Sequence, residues 1–347
     1  MKRILLASLI ALLALPVIQA QNKGRRMQVA GIAFYNLENL FDTIPNNPEG
    51  RDLEFTPKGS RQWNGTKYWS KISKLARAIS SFTSKTTPNG PAIIGVSEIE
   101  NRSVLEDLVN DAQIKPWNLQ IVHHDSPDAR GVDVGLLYNP RYFKVTNVTN
   151  HRLTEVKFRT RDQMCVTGLL LGQPISIIVN HWPSRLGGQE QSSPNREAAA
   201  RLCKHIADSL WNVDPNMGVI IMGDLNDDPQ DKSCAVELGA KRDRKDVAEH
   251  GFYNPFWKKL DEGIGTLAYK SSWNLFDQII LSGNIANAPD DRWHFYRADV
   301  LNRDFLQDTQ GNRQHYPLRT YASGVWLDGY SDHFPTEVFL IRYLPAK

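Results

Sequence analysis

The sequence predicts an α+β protein in which two packed sheets carry helices on their outer faces. Three observations point there. Short apolar runs alternate with amphipathic stretches of helical spacing. The strand-like runs occur both as hairpin successions and as strand–helix alternations. No repeat, low-complexity tract or Ser/Gly linker divides the 347 residues into separate units. With 41% hydrophobic and 23% charged residues, the chain has ample material for a core, which excludes disorder, collagen and coiled coil as whole-chain descriptions. Three cysteines cannot staple a chain of this length, so a small disulfide scaffold is excluded too.

The first residues stand apart from the fold. Lys2 and Arg3 precede an apolar run from Ile4 to Ile18, and the small Ala20 suits cleavage before Gln21. This pattern reads as a secretory signal peptide over residues 1–20, because a membrane span wants ~18 or more apolar residues. The mature protein is expected to be exported, periplasmic or secreted, without stable membrane insertion. Removing Lys2 and Arg3 from the 41 basic residues leaves 39 against 38 acidic ones, a net charge of +1. Such a chain has no global pull toward nucleic acid or anionic lipid. Residues 21–27 read as a disordered lead-in and residues 28–344 as one domain, expected to be monomeric. Cys165, Cys203 and Cys234 allow either one bridge with a thiol left over or three buried single cysteines.

Along the domain, Val29 to Tyr35 reads as a strand. Residues 43–65 hold proline, glycine and charge and read as a long loop. Trp69, Ile72, Leu75, Ala76 and Ile79 predict a helix over 66–82, with Trp69 in the core and the lysines in solvent. Ala92 to Glu98 is a buried strand, and Asn101 or Ser103 caps a helix running to Ala112. Strands follow near 118–123, 132–138, 143–149, 163–171 and 174–180. Pro194 opens a helix to Trp211, with Ala198, Leu202, Ile206 and Leu210 on one stripe. Gly218–Gly223, Phe276–Leu281 and Glu337–Tyr343 complete the strands.

The informative feature is what ends these strands. Asn36-Leu37-Glu38, Glu98-Ile99-Glu100, Asn180-His181-Trp182, Asp224-Leu225-Asn226 and Asp277-Gln278 each close an apolar run with carboxylates, amides or histidine. Ser331-Asp332-His333 precedes the last strand. Singly, each has an ordinary explanation. Asp224 and Asn226 suit a turn, Glu98 a surface ion pair, and His333 a satisfied core position. A buried Asp277 needs a partner. Repetition at six places argues for a site, because sheet ends hold side chains more rigidly than loops do.

The segments Asn36-Leu37-Glu38-Asn39, Ser97-Glu98-Ile99-Glu100, Asn180-His181-Trp182-Pro183-Ser184-Arg185, Gly223-Asp224-Leu225-Asn226-Asp227 and Ser331-Asp332-His333-Phe334-Pro335 together resemble the endonuclease/exonuclease/phosphatase family, in the family's order. The resemblance implies a four-layer α/β/β/α sandwich and hydrolysis of phosphate esters without a covalent enzyme intermediate. It implies a divalent cation, Mg²⁺ with Mn²⁺ or Ca²⁺ as alternatives, to offset the negative charge that grows as water attacks an anion. By this match Glu98 is the main metal ligand, Asn36 contacts it or the metal, and Asp332 is a further ligand. Asp224 and Asn226, on the same side of an extended strand, orient the attacking water and a phosphate oxygen. His333, kept charged by Asp277, meets a non-bridging oxygen or acts as an acid. His181 protonates the leaving group, and Asp133 is its expected acidic partner.

Arg185, in a lip beside the site, and Arg196, at the helix start, are expected to hold substrate phosphate. Residues 51–77 carry seven basic and two acidic side chains together with Trp63, Tyr68 and Trp69, a mixture that suits a nucleic acid strand. The expected substrate is thus a nucleic acid phosphodiester, with a phospholipid, sphingomyelin-type or small-molecule phosphate as the alternative. A binding module with a dead site is disfavoured, since each mapped position holds a suitable residue.

Overall fold

The computed structural model describes residues 25–269 and 271–345; the expected signal peptide lies outside them. The first sheet uses β1 (Arg26–Leu40), β2 (Ile93–Ile99), β3 (Gln120–His123) and β4 (Asp133–Tyr138). The second uses β5 (Phe143–His151), β6 (Gln163–Leu170), β7 (Gln173–His181), β8 (Gly218–Asp224), β9 (Ala240–Lys241), β10 (Phe252–Tyr253) and β11 (Asp277–Ser282). Strands β12 (His294–Val300) and β13 (Thr336–Leu344) return to the first sheet. Their orders are β12-β13-β1-β2-β4-β3 and β5-β6-β7-β8-β11-β10-β9.

Most neighbours are antiparallel, but each sheet has a parallel pair at its centre, β1 with β2 and β7 with β8. A parallel pair sends two C-terminal ends the same way, so both sheets gather polar strand ends at one rim. Between the sheets lies a core of Ile32, Phe34, Ile93, Leu136, Val179, Ile220, Met222, Ile279 and Val338. The other face of the first sheet packs Ala33, Tyr35, Ile94 and Val96 against α1 (Gly65–Ser80) and α2 (Arg102–Val109). The other face of the second packs Ile178, Ile221 and Ile280 against Ala199, Cys203 and Ile206 of α3 (Gln189–Val213). The strands are buried on both faces and therefore read as continuous apolar runs. The result is the four-layer α/β/β/α sandwich.

Several expectations about single elements fail for physical reasons. β1 starts before residue 28, because Arg26 and Met27 pair with Leu344 and Tyr343. Helix α3 begins at Gln189, so Pro194 lies inside it. The carbonyl that this proline leaves without a helical N–H belongs to the exposed Glu190. In α1 the indole of Trp69 is 56% exposed, while Lys71 is buried. Lys71 Nζ lies 2.6 Å from both Thr320 Oγ1 and the Tyr330 carbonyl, so this lysine ties the helix to the 318–330 loop. Asn101, not Ser103, caps α2, accepting the Val104 N–H at 3.2 Å. All three cysteines are free and buried.

Candidate active site

The second sheet sets three site residues side by side. His181 pairs in register with Asp224 on β8, and Asp224 with Asp277 on β11. The first sheet contributes through two bulges. Between Asn36 and Leu40, and again between Ser97 and Ile99, the ladder slips. Glu38, Asn39 and Glu98 adopt left-handed backbone there, with φ of 47°, 49° and 60°. Such strain re-aims side chains off the pleat and collects at functional positions. At the same rim, Gly223 has φ of 157°, and a Cβ there would run into the Asn180 carbonyl; only glycine lets β7 and β8 approach this closely before Asp224.

Asp224 is the centre. Its Oδ2 accepts from Asn36 Nδ2 at 3.0 Å and lies 3.7 Å from His181 Nε2 and 3.8 Å from His333 Nε2. Its Oδ1 accepts the Asn226 N–H at 3.0 Å. His333 Nδ1 lies 2.7 Å from Asp277 Oδ2, so residues from two distant strands meet as a histidine–acid pair. Burial opposes a charge on His333, but Asp277 and Asp224 outweigh it and raise the ring well above the ordinary histidine range. Burial pushes Asp224 up to about 6; Asp277 and Glu98 add to this while His333 opposes it. Asp224 is thus a carboxylate at neutral pH with raised basicity, which suits a proton acceptor.

His181 has the opposite character. Burial, reinforced by the Arg161, Arg130 and His333 charges, holds it well below the usual range, against the pull of Glu98. Its Nδ1 is buried without a hydrogen-bond partner, and the expected Asp133 is not there. Asp133 Oδ2 lies 3.1 Å from His123 Nε2, and its Oδ1 accepts from the Ser126 N–H at 2.9 Å and hydroxyl at 2.5 Å. The cause is topological. Asp133 sits on β4 opposite Ile99, in the other sheet from His181, and turns toward β3.

Glu98 Oε2 accepts the Asn39 N–H at 2.9 Å, and its Oε1 accepts from Arg130 Nη1 at 3.1 Å. Arg130 also donates to Asn39 Oδ1 at 2.6 Å. Burial alone would raise Glu98, but the charge and hydrogen bond of Arg130 reverse this and keep the carboxyl ionised, well below its usual range. Asp332 pairs with Arg319 at 2.8 Å and stands 3.9 Å from His333 Nε2. The two expected carboxylate ligands each face a half-exposed arginine (45% for Arg130 and 41% for Arg319). Ionised oxygens whose counter-charges can swing away fit a hard divalent cation. Asn36 leans on Asp224 instead of Glu98, with its Oδ1 taking the Glu38 N–H at 2.9 Å.

Three further expectations are corrected. Arg196 is 0% exposed. Its Nε lies 2.7 Å from Asp227 Oδ1 and its Nη1 donates to Ser192 Oγ at 2.9 Å, so it pins α3 from inside and holds no ligand. Arg185 is spent on Asp231 at 2.7 Å, Asp227 at 3.2 Å and Asp228 at 3.4 Å, with its Nε on the Asn226 carbonyl at 2.8 Å. Asn226 does not continue an extended strand. Its φ is 51°, and its Nδ2 donates to the Trp182 carbonyl at 3.0 Å. Sequence reasoning missed Arg130, Arg319 and Arg161. The last is buried and holds the end of β7 through the His181 and Trp182 carbonyls at 3.1 and 2.8 Å. Arg130-Gly131 just before a buried strand was the one available signal.

Comparison with known proteins agrees with this geometry. A profile described as the Endonuclease/Exonuclease/phosphatase family matches residues 31–342. No curated protein sequence matches the chain. Among solved structures, a humanised D. rerio TDP2 is 14% identical with a TM-score of 0.55, covering 90% of this chain and 98% of that one. The Bacteroides thetaiotaomicron mannosyl-6-phosphatase Bt3783 is 17% identical with a TM-score of 0.54, covering 90% and 99%. An endonuclease/exonuclease/phosphatase family protein from the same organism is 17% identical with a TM-score of 0.53, covering 92% and 96%. The chain belongs to the endonuclease/exonuclease/phosphatase family and, as its members are, is a metal-dependent phosphoester hydrolase.

Proposed function

We propose that this protein is an exported phosphodiesterase of endonuclease type, which hydrolyses its ester by direct attack of water. The observation that carries the reading is the convergence of His181, Asp224, Asp277 and His333 at one rim beside Glu98. Asp224 takes the proton of the attacking water. The His333 imidazolium, anchored by Asp277, donates from Nε2 to a non-bridging phosphate oxygen and stabilises charge in the transition state. As the P–O bond to water forms, the P–O bond to the leaving oxygen breaks; neutral His181 stores no proton for that oxygen but offers it one N–H, and solvent supplies its proton. Glu98 and Asp332 would hold the divalent cation, proposed as Mg²⁺, which supplies Lewis-acid stabilisation of the phosphoryl charge. Arg130 and Arg319, half-exposed and paired with Glu98 and Asp332, would turn to phosphate in place of Arg185 and Arg196 once a cation holds those carboxylates.

Support for a polynucleotide comes from the edge next to Arg319. Arg61 lies over the Tyr321 ring at 5.1 Å, and Lys67 over the Trp326 ring at 5.4 Å. Cations interleaved with aromatics suit a strand of nucleic acid, and one solved neighbour is a D. rerio TDP2 complexed with single strand DNA product. A second reading, a phosphatase for small phosphomonoesters such as a sugar phosphate, is favoured by the internal use of Arg185 and Arg196 and by the mannosyl-6-phosphatase neighbour. Assay with Mg²⁺ on plasmid DNA, single-stranded DNA, bis(p-nitrophenyl) phosphate, p-nitrophenyl phosphate and mannose 6-phosphate separates them. Cleavage of the diesters supports the first reading; turnover of monoesters alone replaces it with the second.

A further inference from the structure

We infer that Thr266 is a positioning residue for the hydrolysis, acting through the Asp277–His333 pair. One buried threonine holds both members of the pair in place, the acid through its side chain and the histidine through its carbonyl. The inference rests on the reading of His333 as the group that meets the phosphate.

The pair needs a hold from outside. Asp277 Oδ2 lies 2.7 Å from His333 Nδ1, while Asp277 Oδ1 is buried without a hydrogen-bond partner. Among the described residues no second donor orients the carboxylate, so its aim is set by the backbone of residues 276 and 277. That backbone is the start of β11, where the ladder to β8 ends on the Asp277–Asp224 pair. Thr266, fully buried, takes over at this point. Its Oγ1 accepts the Phe276 N–H at 3.2 Å and the Asp277 N–H at 3.3 Å. Buried N–H groups require an acceptor, and one hydroxyl serves two of them here.

The same residue reaches the histidine side. The Thr266 carbonyl accepts the Phe334 N–H at 2.7 Å. On the other flank Ser331 Oγ accepts the His333 N–H at 3.1 Å and donates to the Asn36 carbonyl at 2.7 Å. His333 is thereby fixed on both sides. Thr266 is itself anchored at the root of a short hairpin, Leu267–Tyr269 with Ser272–Asn274. Its N–H donates to the Asn274 carbonyl at 2.8 Å, and Trp273 of the hairpin stacks on Phe334 with ring centroids 6.1 Å apart. A β-branched side chain is stiff at χ1, which keeps the hydroxyl aimed. Displacing a reacting group by about 1 Å can cost on the order of 10²-fold in rate, so a hold of this kind is felt in turnover.

The test compares Thr266→Val, which keeps the shape and removes the acceptor, with Thr266→Ser, which keeps the acceptor. Both are made in the unaltered chain, and Thr266→Val also in His333→Ala. Turnover is measured with Mg²⁺ on bis(p-nitrophenyl) phosphate, or on p-nitrophenyl phosphate if only monoesters are cleaved. The inference expects Thr266→Val to lower kcat by about tenfold or more with KM within about threefold, and Thr266→Ser to restore kcat to within about threefold. In His333→Ala the valine should change kcat by less than about twofold, because the group it positions is gone; a merely structural residue costs the same in both backgrounds. Crystal structures of the variants need no substrate: the Asp277–His333 bond should be lost in Thr266→Val and kept in Thr266→Ser. Thr266→Ala reads the same loss should valine not pack. Full turnover and an intact bond without the hydroxyl, an equal loss in Thr266→Ser, a loss that persists in His333→Ala, or failure of both valine and alanine to fold where serine folds overturns the inference. Unchanged turnover in His333→Ala is a different failure and sinks the reading of His333 itself.

Discussion

His333 and His181 flank Asp224 at nearly equal distance and carry opposite charge states. The difference comes from their second neighbours. Asp277 sits 2.7 Å behind His333, whereas cations surround His181 and its Nδ1 has no acid behind it. His333→Ala should lower kcat by about 10²–10⁴-fold with an unchanged circular dichroism spectrum. Asp277→Asn should reproduce much of that loss, since it removes the charge that keeps the imidazolium. Arg196 belongs to stability, not to binding. Replacing it with methionine takes the nearer of two guanidiniums from buried Asp227 and leaves Arg185 at 3.2 Å, which costs up to about 3–5 kcal/mol. Urea denaturation should show that loss, while KM of the folded fraction stays within about twofold.

At the scale of elements, the bulges in β1 and β2 convert two regular strands into holders for Glu38, Asn39 and Glu98. A strand of the same sheet carries a different strain near its start. Glu337 of β13 is 2% exposed, and burial pushes it up to about 9 from an ordinary 4.5, with Arg297 opposing. The folded state thus keeps a proton that the unfolded chain has lost, so stability falls as pH rises from 4.5 to 9. Glu337→Gln should flatten that slope and raise the melting temperature at pH near 8, with a ceiling of about 1.4 kcal/mol per unit of pH crossed. Melting curves across that range in both proteins check it. The strand-end motifs were legible in the sequence because buried parallel strands leave an unbroken apolar run that stops at a polar cluster. Partnerships were less so. Asp277 with His333 followed from the family resemblance, but Asp133 with His123 is fixed by sheet order, which no local pattern encodes. Arg196 looked available because helical spacing does not say which residue of α3 turns inward under the 183–184 carbonyls.

For the whole molecule, the doubled sheet explains why one rim can gather oxygens and imidazoles from residues 36 to 333. Each sheet offers one central parallel pair, and packing them face to face puts both pairs of C-terminal ends together. The N-terminal reading is tested at this scale as well. Expressed with residues 1–20 in a bacterial host, the protein should be recovered outside the cytoplasm, with a mature N-terminus at Gln21 by mass spectrometry. Recovery of the intact chain in the cytoplasm would contradict export. The central claim is that Asp224 is the proton acceptor at a single metal-assisted site. Its most direct test is kcat of Asp224→Asn with saturating Mg²⁺, since the amide keeps the shape and removes the base. The account predicts a fall of about 10²–10⁴-fold with KM little changed; turnover within about twofold of the unaltered enzyme would contradict it.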